Sequence, residues 1–431
     1  MTKPVALRAA MTRAMSQERT RSRTREQLRG WSPRKAKDVS SSTDSRRSAT
    51  SRSSSKESKE DEIIHYDWAA GQVLNARYRL ESLSGDGTFG RVCLATDLVD
   101  RREVAIKIIR DVRRYQENAK VEAKILAEVA REDHRGKYHC CLMFDTFTHD
   151  SRFFCLVFEP LGSSLYDVIK KNHFRGLWLS DVQRVAKQSL KALKFLHGRL
   201  QLTHTDLKAE NILFVERGAG IVSYFPREDF WEASTGNNAR GHPYYRPTRA
   251  DIKLIDFGNA TFANEHHSSI INTRQYRGPE VVMELGWDHK SDIWSIGCIL
   301  MELYTGELLF GTHDNLEHLA LMEKILRARL PQDMLLRTTS EVRRNYLRWK
   351  NPHHGGELEL NWPGGASCSS ESHVAMQKKL PELVRRRRVD EQLMDFVQKL
   401  LEFRPSNRPS AEGALSHDFL SLKIDDSDER I

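Results

Sequence analysis

The spacing of apolar positions changes along the chain. From Tyr78, "YRLESLSGDGTFGRVCLATD" reads as two strands joined by a glycine-rich turn, and "REVAIKIIRD" is a further strand with apolar residues at alternate positions. "QENAKVEAKILAEVA" then shifts to helical spacing, which predicts Val121, Ile125 and Leu126 on one buried face. "FCLVFEPLG" is an apolar strand that ends at a Pro-Leu-Gly break, and helical patterns dominate beyond it. Among them, "LSDVQRVAKQSLKALKFLH" is expected to open with Ser180 as its cap and an acidic first turn. The expected architecture is α+β: a small strand-rich lobe, then a larger helical one.

The first 62 residues carry no such pattern. They are rich in Ser, Thr and Arg, as in "RTRSRTRE" and "SRRSATSRSSSKESK", with few side chains able to offset the entropy of ordering, so disorder is expected there. This stretch also accounts for the charge. It holds 16 Lys/Arg and 8 Asp/Glu, whereas the whole 431-residue chain carries +9, so the remainder is close to neutral. No aromatic platform interleaves the arginines, which argues against direct nucleic-acid binding. No apolar run approaches the ~20 residues of a membrane span, so no membrane partner is expected. Six cysteines without a C-x-x-C pair point to a reducing compartment, the nucleus or the cytoplasm. The expected division is a basic tail at 1–62, a linker at 63–77, a catalytic domain at 78–420 with its lobe boundary near 160, and an acidic tail at 421–431.

Four motifs then occur in order. Gly85, Gly87 and Gly90, followed by Val92, form G-x-G-x-x-G-x-V. Because a strand rather than a helix follows, the motif suits a loop lying over nucleotide phosphates between two strands better than a dinucleotide fold. "VAIK" places Ala105 and Lys107 in an apolar strand. A lone strand lysine could guard a sheet edge, but behind a glycine loop its use is to hold the α- and β-phosphates. It needs an orienting carboxylate, and the next helix offers Glu117, Glu122 and Glu128; Glu122, beside the apolar stripe, is the preferred one. In "HTDLKAEN", Asp206 would accept or orient the proton of an attacking hydroxyl, Lys208 would neutralise the transferring phosphoryl group, and Asn211 would bind Mg²⁺. Asp256 of "LIDFG" would bridge Mg²⁺ to the phosphates of ATP.

Over roughly Tyr78–Leu420 these residues resemble the eukaryotic protein kinase family. "EHLALMEKIL" is similar to the EHLAMMERIL signature of the LAMMER, or CDC-like, kinases, as are "EHHSSIINTRQYRGPEVV" and "WSIGCILMELYTGELLF". The resemblance implies the bilobal kinase fold, ATP and Mg²⁺ as cofactors, and a dual-specificity kinase that phosphorylates Ser and Thr of Arg-Ser-rich splicing factors, with autophosphorylation that can include Tyr; a monomeric, nuclear protein is expected. A cell-cycle role and a pseudokinase scaffold are the alternatives. The resemblance also implies that Phe158 lines the back of the adenine pocket, that the backbones of Glu159 and Leu161 pair with the base, that Val92 and Ala105 complete the nucleotide site, and that Glu280 pairs with Arg408. "PREDFWEASTGNNARGHPYYRP" looks like the family's extra hairpin, and Leu330–Val389 resembles its insert only loosely. Thr205 stands where many kinases have Arg, so the loop Asp256–Glu280 is expected to be held without an upstream kinase, with Ser268, Ser269, Thr273 and Tyr276 as hydroxyls open to modification.

Overall fold

The computed structural model describes residues 65–222, 226–236, 243–350 and 356–427. The basic tail at 1–62 lies outside them. The smaller lobe is built on one six-stranded antiparallel sheet: β1 (Val73–Leu74), β2 (Tyr78–Asp86), β3 (Gly90–Asp97), β4 (Arg102–Ile109), β5 (Met143–His149) and β6 (Phe153–Phe158), in the order β1-β2-β3-β4-β6-β5. Period-two alternation sorts its residues. Val104, Ile106 and Ile108 face a small core with Leu80, Cys93, Ala95, Cys155 and Val157. Ala105 and Lys107 therefore face the other way, toward the larger lobe. Register extends that face across the sheet, since Val92 is opposite Lys107 and Phe158 opposite Ala105. Lys107 sits on an inner strand, flanked by β3 and β6, which removes the edge-guard reading.

The helix Arg113–Glu132 packs on this sheet and buries Ala119, Glu122, Ile125, Leu126 and Val129. Val121 is 51% exposed, contrary to its expected place on the stripe. The stripe passes through Glu122 instead, a charged residue that occupies a buried position because Lys107 meets it there.

The stretch expected to be a linker is folded from His65 onward. Leu74 is fully buried in β1, and Tyr66 and Trp68 pack on the small core. At the other end, Ile424 packs on the main core and Asp426 pairs with Arg246 at 2.7 Å, so part of the acidic tail is also seated.

The larger lobe is organised around the helix Lys290–Thr305, which is buried almost all round, with Trp294 and Met301 closed off from solvent. The helices Leu179–Lys194 and Arg388–Leu400 pack against it. Leu179–Lys194 starts one residue before the expected cap, after Trp178 and without a side-chain cap. Ser180 is otherwise engaged: its Oγ accepts a hydrogen bond from Arg246 at 3.0 Å. Arg246 belongs to the hairpin Ala219–Val222/Tyr244–Pro247, whose connection carries the helix Glu228–Thr235. The segment 330–389 forms short helices and a second hairpin, Leu347–Lys350/Glu357–Leu360, with Leu347, Leu358, Leu360 and Val374 in the main core. The signature stretch is also structural. Its helix, Asn315–Leu326, is capped by Asp314 and buries Glu317 and His318 with the apolar residues.

Candidate active site

Between the lobes, the sequence motifs converge on one cleft. Gly90 starts β3 where the backbone of β4 passes so closely that a Cβ would lie 2.2 Å from the Ile108 carbonyl oxygen, so only glycine fits. Gly85 lies one residue before the end of the facing strand, opposite Val92, and Gly87 N–H donates to the Gly90 carbonyl at 3.0 Å, which closes the turn. Below the turn, Lys107 Nζ reaches both oxygens of Glu122, at 2.8 and 3.0 Å, and lies 3.8 Å from Asp256 Oδ1. Burial opposes the charge on Lys107, but Glu122 and then Asp256 outweigh it and raise the lysine's pKa. Glu117 and Glu128 pair instead with Arg113 and Arg131 on the helix surface.

Asp206 and Asn211 sit on a loop held from three sides. The strand Ile212–Phe214 that follows pairs with Ile252–Leu254, the strand that leads into Asp256, so both loops leave the same end of one small ladder. Ile255 N–H donates to the Asn211 carbonyl at 3.0 Å, and His204 Nε2 meets the Ile255 carbonyl, also at 3.0 Å. Asp206 Oδ2 accepts from Lys208 Nζ, while Oδ1 accepts from Thr273 N–H at 3.1 Å and from Thr273 Oγ1 at 2.8 Å. Lys208 Nζ also donates to Thr273 Oγ1, at 3.2 Å. Asn211 Nδ2 donates to the Asp206 carbonyl at 2.9 Å, which leaves the amide oxygen as the end suited to a cation.

The loop is strained where it turns. Thr205 has φ of 64°, unusual for a β-branched residue and worth about 1–3 kcal/mol of strain. Asp292, from the central helix, fixes it by accepting the N–H of His204 at 2.8 Å and of Thr205 at 3.0 Å. His197 Nε2 lies 2.8 Å from the same carboxylate. Burial raises the pKa of Asp292, but the hydrogen bond from His197, the histidine charges and the His204 N–H together hold it below 3.8. Thr205 Oγ1 donates to the Asn259 carbonyl at 2.6 Å, and its own carbonyl accepts from Asn272 N–H.

The connection between the lobes carries Glu159 and Leu161. Glu159 Oε1 accepts from Leu142 N–H at 2.7 Å and from Lys253 Nζ at 2.5 Å. Gly162 follows, where a Cβ would lie 2.0 Å from the Glu216 carbonyl oxygen. Phe158, at the end of β6, packs against the main core.

Asp292, Thr273, His197 and Lys253 escaped the sequence reading as parts of the site. Asp292 left a signal: it is an acid in the apolar run "DIWSIGCILMELY". Thr273 left none, because its role depends on a loop returning from 65 residues away. Two of the hydroxyls expected to be modifiable are engaged: Thr273 by Asp206, and Tyr276, buried, by Glu302 at 2.5 Å. Ser268 and Ser269 are exposed.

The donor set fits a nucleotide and a divalent metal. Asp256 supplies a hard carboxylate oxygen and Asn211 an amide oxygen for the metal, with Asp206 beside them for the hydroxyl and Lys107 as a fixed cation beneath the glycine turn. The Asp256 carboxyl, although its surroundings are tightly packed, keeps 37% of its surface open. Its pKa is lowered: burial opposes the charge, but Lys107, Lys208 and His204 favour it.

The family model described as "Protein kinase domain" matches residues 78–420. The serine/threonine-protein kinase AFC1 of Arabidopsis thaliana is 38% identical over 373 residues, 85% of this chain and 76% of that protein. The dual specificity protein kinase CLK1 of Homo sapiens is 39% identical over 366 residues, 84% of this chain and 70% of that protein. A solved crystal structure of a kinase domain superposes with a TM-score of 0.74 at 37% identity, covering 83% of this chain and 99% of that one. With a catalytic cleft assembled from every motif in order, the chain belongs to the protein kinase family, and within it to the LAMMER, or CDC-like, dual-specificity kinases.

Proposed function

We propose that this kinase transfers the γ-phosphoryl group of ATP, with Mg²⁺, to serine and threonine hydroxyls in Arg-Ser-rich proteins, and that it does so as a monomer on splicing factors in the nucleus. The observation that carries the phosphoryl-transfer part is the closed contact set of Asp206 with Lys208 and Thr273 beside the Lys107–Glu122 pair. Asp206, positioned by Thr273, orients a substrate hydroxyl and takes its proton. Lys208, on the opposite carboxylate oxygen, meets the charge on the phosphoryl group in flight. Lys107, fixed by Glu122, holds the α- and β-phosphates. When bound, the metal neutralises the phosphate oxygens, and Asn211 and Asp256 are the residues that would hold it. Val92, Ala105 and Phe158, on one face of the sheet, would surround the adenine, with the Glu159 and Leu161 backbones reading its edge.

The relatives' names, serine/threonine and dual specificity kinase, support the acceptor hydroxyl and not the flanking residues. The Arg-Ser preference is supported by the chain's own first 62 residues, which carry runs such as "RTRSRTRE" and "SRRSATSRSSS" of the kind such a substrate would have. The test is phosphorylation of a degenerate peptide library by purified enzyme. Enrichment of Arg beside the acceptor serine is expected; a requirement for Pro or for acidic residues with no Arg selection overturns the substrate class.

A further inference from the structure

The glycine-rich turn is tied at its outer side to the segment that precedes the sheet. His65–Gln72 runs over the face of the small lobe opposite the cleft. The Tyr66 ring packs edge-on against Phe153 at 5.1 Å and His149 at 5.6 Å. Gln72 closes the segment on itself, its Oε1 accepting from Ala69 N–H at 2.7 Å and from Tyr66 O–H at 3.3 Å. Gly71 N–H and the Gln72 carbonyl are hydrogen-bonded to the Leu80 backbone of β2, both at 2.8 Å. The segment is thereby a strap of fixed position.

Arg91 joins this strap to the turn. It follows Gly90, and because Val92 faces the cleft, alternation turns Arg91 to the strap side. Its Nη1 donates to the Tyr66 carbonyl at 2.6 Å, and its Nε donates to Asp86 Oδ2 at 3.1 Å. Asp86 lies between Gly85 and Gly87. A second arginine, Arg110, works from β4's end: its Nη2 donates to the Gly87 carbonyl at 2.5 Å and lies 3.8 Å from Asp86 Oδ1. A Cβ at Gly85 would stand in open space and one at Gly87 would meet only the Gly90 carbonyl oxygen at 3.6 Å, so packing at the two glycines does little to hold the tip of the turn down. Its base is held by the Gly87–Gly90 hydrogen bond, by Arg110 N–H on the Phe89 carbonyl at 3.0 Å and by the Phe89 ring against Tyr115 at 5.2 Å; its tip is held by the pair of arginines on Asp86 and the Gly87 carbonyl, and one of those arginines is anchored on the strap.

We propose that Arg91 is a positioning residue for nucleotide binding: through Asp86 it sets the height of the glycine-rich turn over the phosphates, and its anchor is the Tyr66 carbonyl of the strap. The inference rests on the turn being the cover of the ATP phosphates. Arg91 faces away from the cleft and touches no reacting group, so its effect is on ATP affinity alone. The strap is also where the Arg- and Ser-rich tail joins the catalytic domain in sequence, so whatever displaces the strap loosens the hold on ATP.

The experiment measures KM for ATP, KM for an Arg-Ser peptide, and kcat in five variants. Arg91→Gln is expected to raise KM for ATP about 3- to 10-fold, with kcat at saturating ATP and KM for peptide within about 2-fold of wild type, the pattern of lost uniform binding. Arg91→Lys, which can reach one partner but not fork between two, should give an intermediate KM. Deletion of residues 1–64 should leave KM for ATP unchanged, whereas deletion of 1–70 should match Arg91→Gln, and combining the two should add nothing further. A wild-type KM for ATP in Arg91→Gln overturns the proposal, as does an equal fall in kcat and melting temperature with KM unmoved, or a raised KM on removing only 1–64. Arg91→Gln decides the matter even if deletion of 1–70 fails to fold. Lys107→Met, assayed for direct ATP binding, separates the two readings: unaltered affinity there would remove the nucleotide site itself, not only the role of Arg91.

Discussion

Arg408 forks onto Glu280, Nη1 to Oε1 and Nη2 to Oε2, each at 2.7 Å, and both side chains are closed off from water. The guanidinium also donates to the Glu402, Lys290 and Phe403 carbonyls and lies 4.8 Å over the Trp294 ring. The pair thus joins three segments of the larger lobe. Removing one partner strands a charge in the core, a loss of about 3–5 kcal/mol. Arg408→Ala should lower the melting temperature clearly by calorimetry; an unchanged melt would show that the pair contributes nothing.

Lys107 and Glu122 should behave as one unit. Lys107→Met and Glu122→Gln should each lower kcat/KM while the protein stays folded, with the lysine variant the more severe. In a double-mutant cycle the losses should be non-additive, since either change removes the same contact. Strict additivity would mean that the 2.8 Å contact is not what orients the lysine.

Asp206→Asn should fold, because an amide oxygen can still accept from Thr273, yet it cannot take the hydroxyl proton. Loss of a general base typically costs ~10²- to 10⁴-fold in rate. Asp256→Asn should act differently, raising the metal concentration needed for half-maximal rate. Identical metal dependence in the two variants would contradict the division of roles.

Asp292 makes stability pH-dependent. Its pKa is held below 3.8 in the folded protein, so its stabilisation is fully present above that value and fades as pH falls through the lower folded value. Asp292→Asn turns one acceptor oxygen into an N–H₂, set against either the Thr205 N–H or the His204 N–H and His197. The variant should be less stable near neutrality by about 1–3 kcal/mol or more, and its melting temperature should fall less steeply on acidification. Equal acid slopes for the two proteins would show that another group carries the effect.

The loop Asp256–Glu280 has side-chain and backbone ties of its own. Trp287 Nε1 donates to the Ser268 carbonyl at 2.7 Å, His267 stacks on Trp287 at 4.1 Å, and Arg277 Nε reaches the Ile271 and Asn272 carbonyls. Enzyme produced with a phosphatase and shown to be unphosphorylated should work on an Arg-Ser peptide without a lag, and Ser268→Ala with Ser269→Ala should not alter that. A lag abolished by preincubation with ATP would refute it.

The motif order made the cleft legible in the sequence, because G-x-G-x-x-G-x-V, VAIK, H-x-D-x-K-x-x-N and DFG are local strings whose chemistry is carried by residue type. What stayed hidden was non-local. Helical spacing put Val121 on the buried face because a rule that counts apolar residues cannot see Glu122 paired inward with Lys107. Ser180 had the residue type of a cap, but Arg246, brought in by a hairpin 66 residues later, takes its oxygen. Residues 65–72 carry too short a pattern to announce a strap, and the positive φ of Thr205 is imposed by Asp292, which no neighbouring residue foretells.

The way the inter-lobe connection is sewn fixes where the molecule can bend. Up to Phe158 the chain is laced into β4 and β5; from Gly162 it is laced into the larger lobe, through Gly162 N–H to Phe214 and Phe214 N–H to Ser163. Pro160, with its fixed φ, removes one torsion from the interval between. Within this connection, opening of the cleft therefore pivots on a few torsions in Glu159–Leu161, the same residues whose backbone would face the base, while the backbone of His139–Cys141, hydrogen-bonded to Leu254, makes a second tie to the larger lobe. The Arg217–Glu103 pair that also spans the lobes is exposed on both sides and adds little resistance. A planar ring seated against Glu159–Leu161 would thus act as a splint across the axle, so that the width of the cleft and the occupancy of its adenine slot become one mechanical variable.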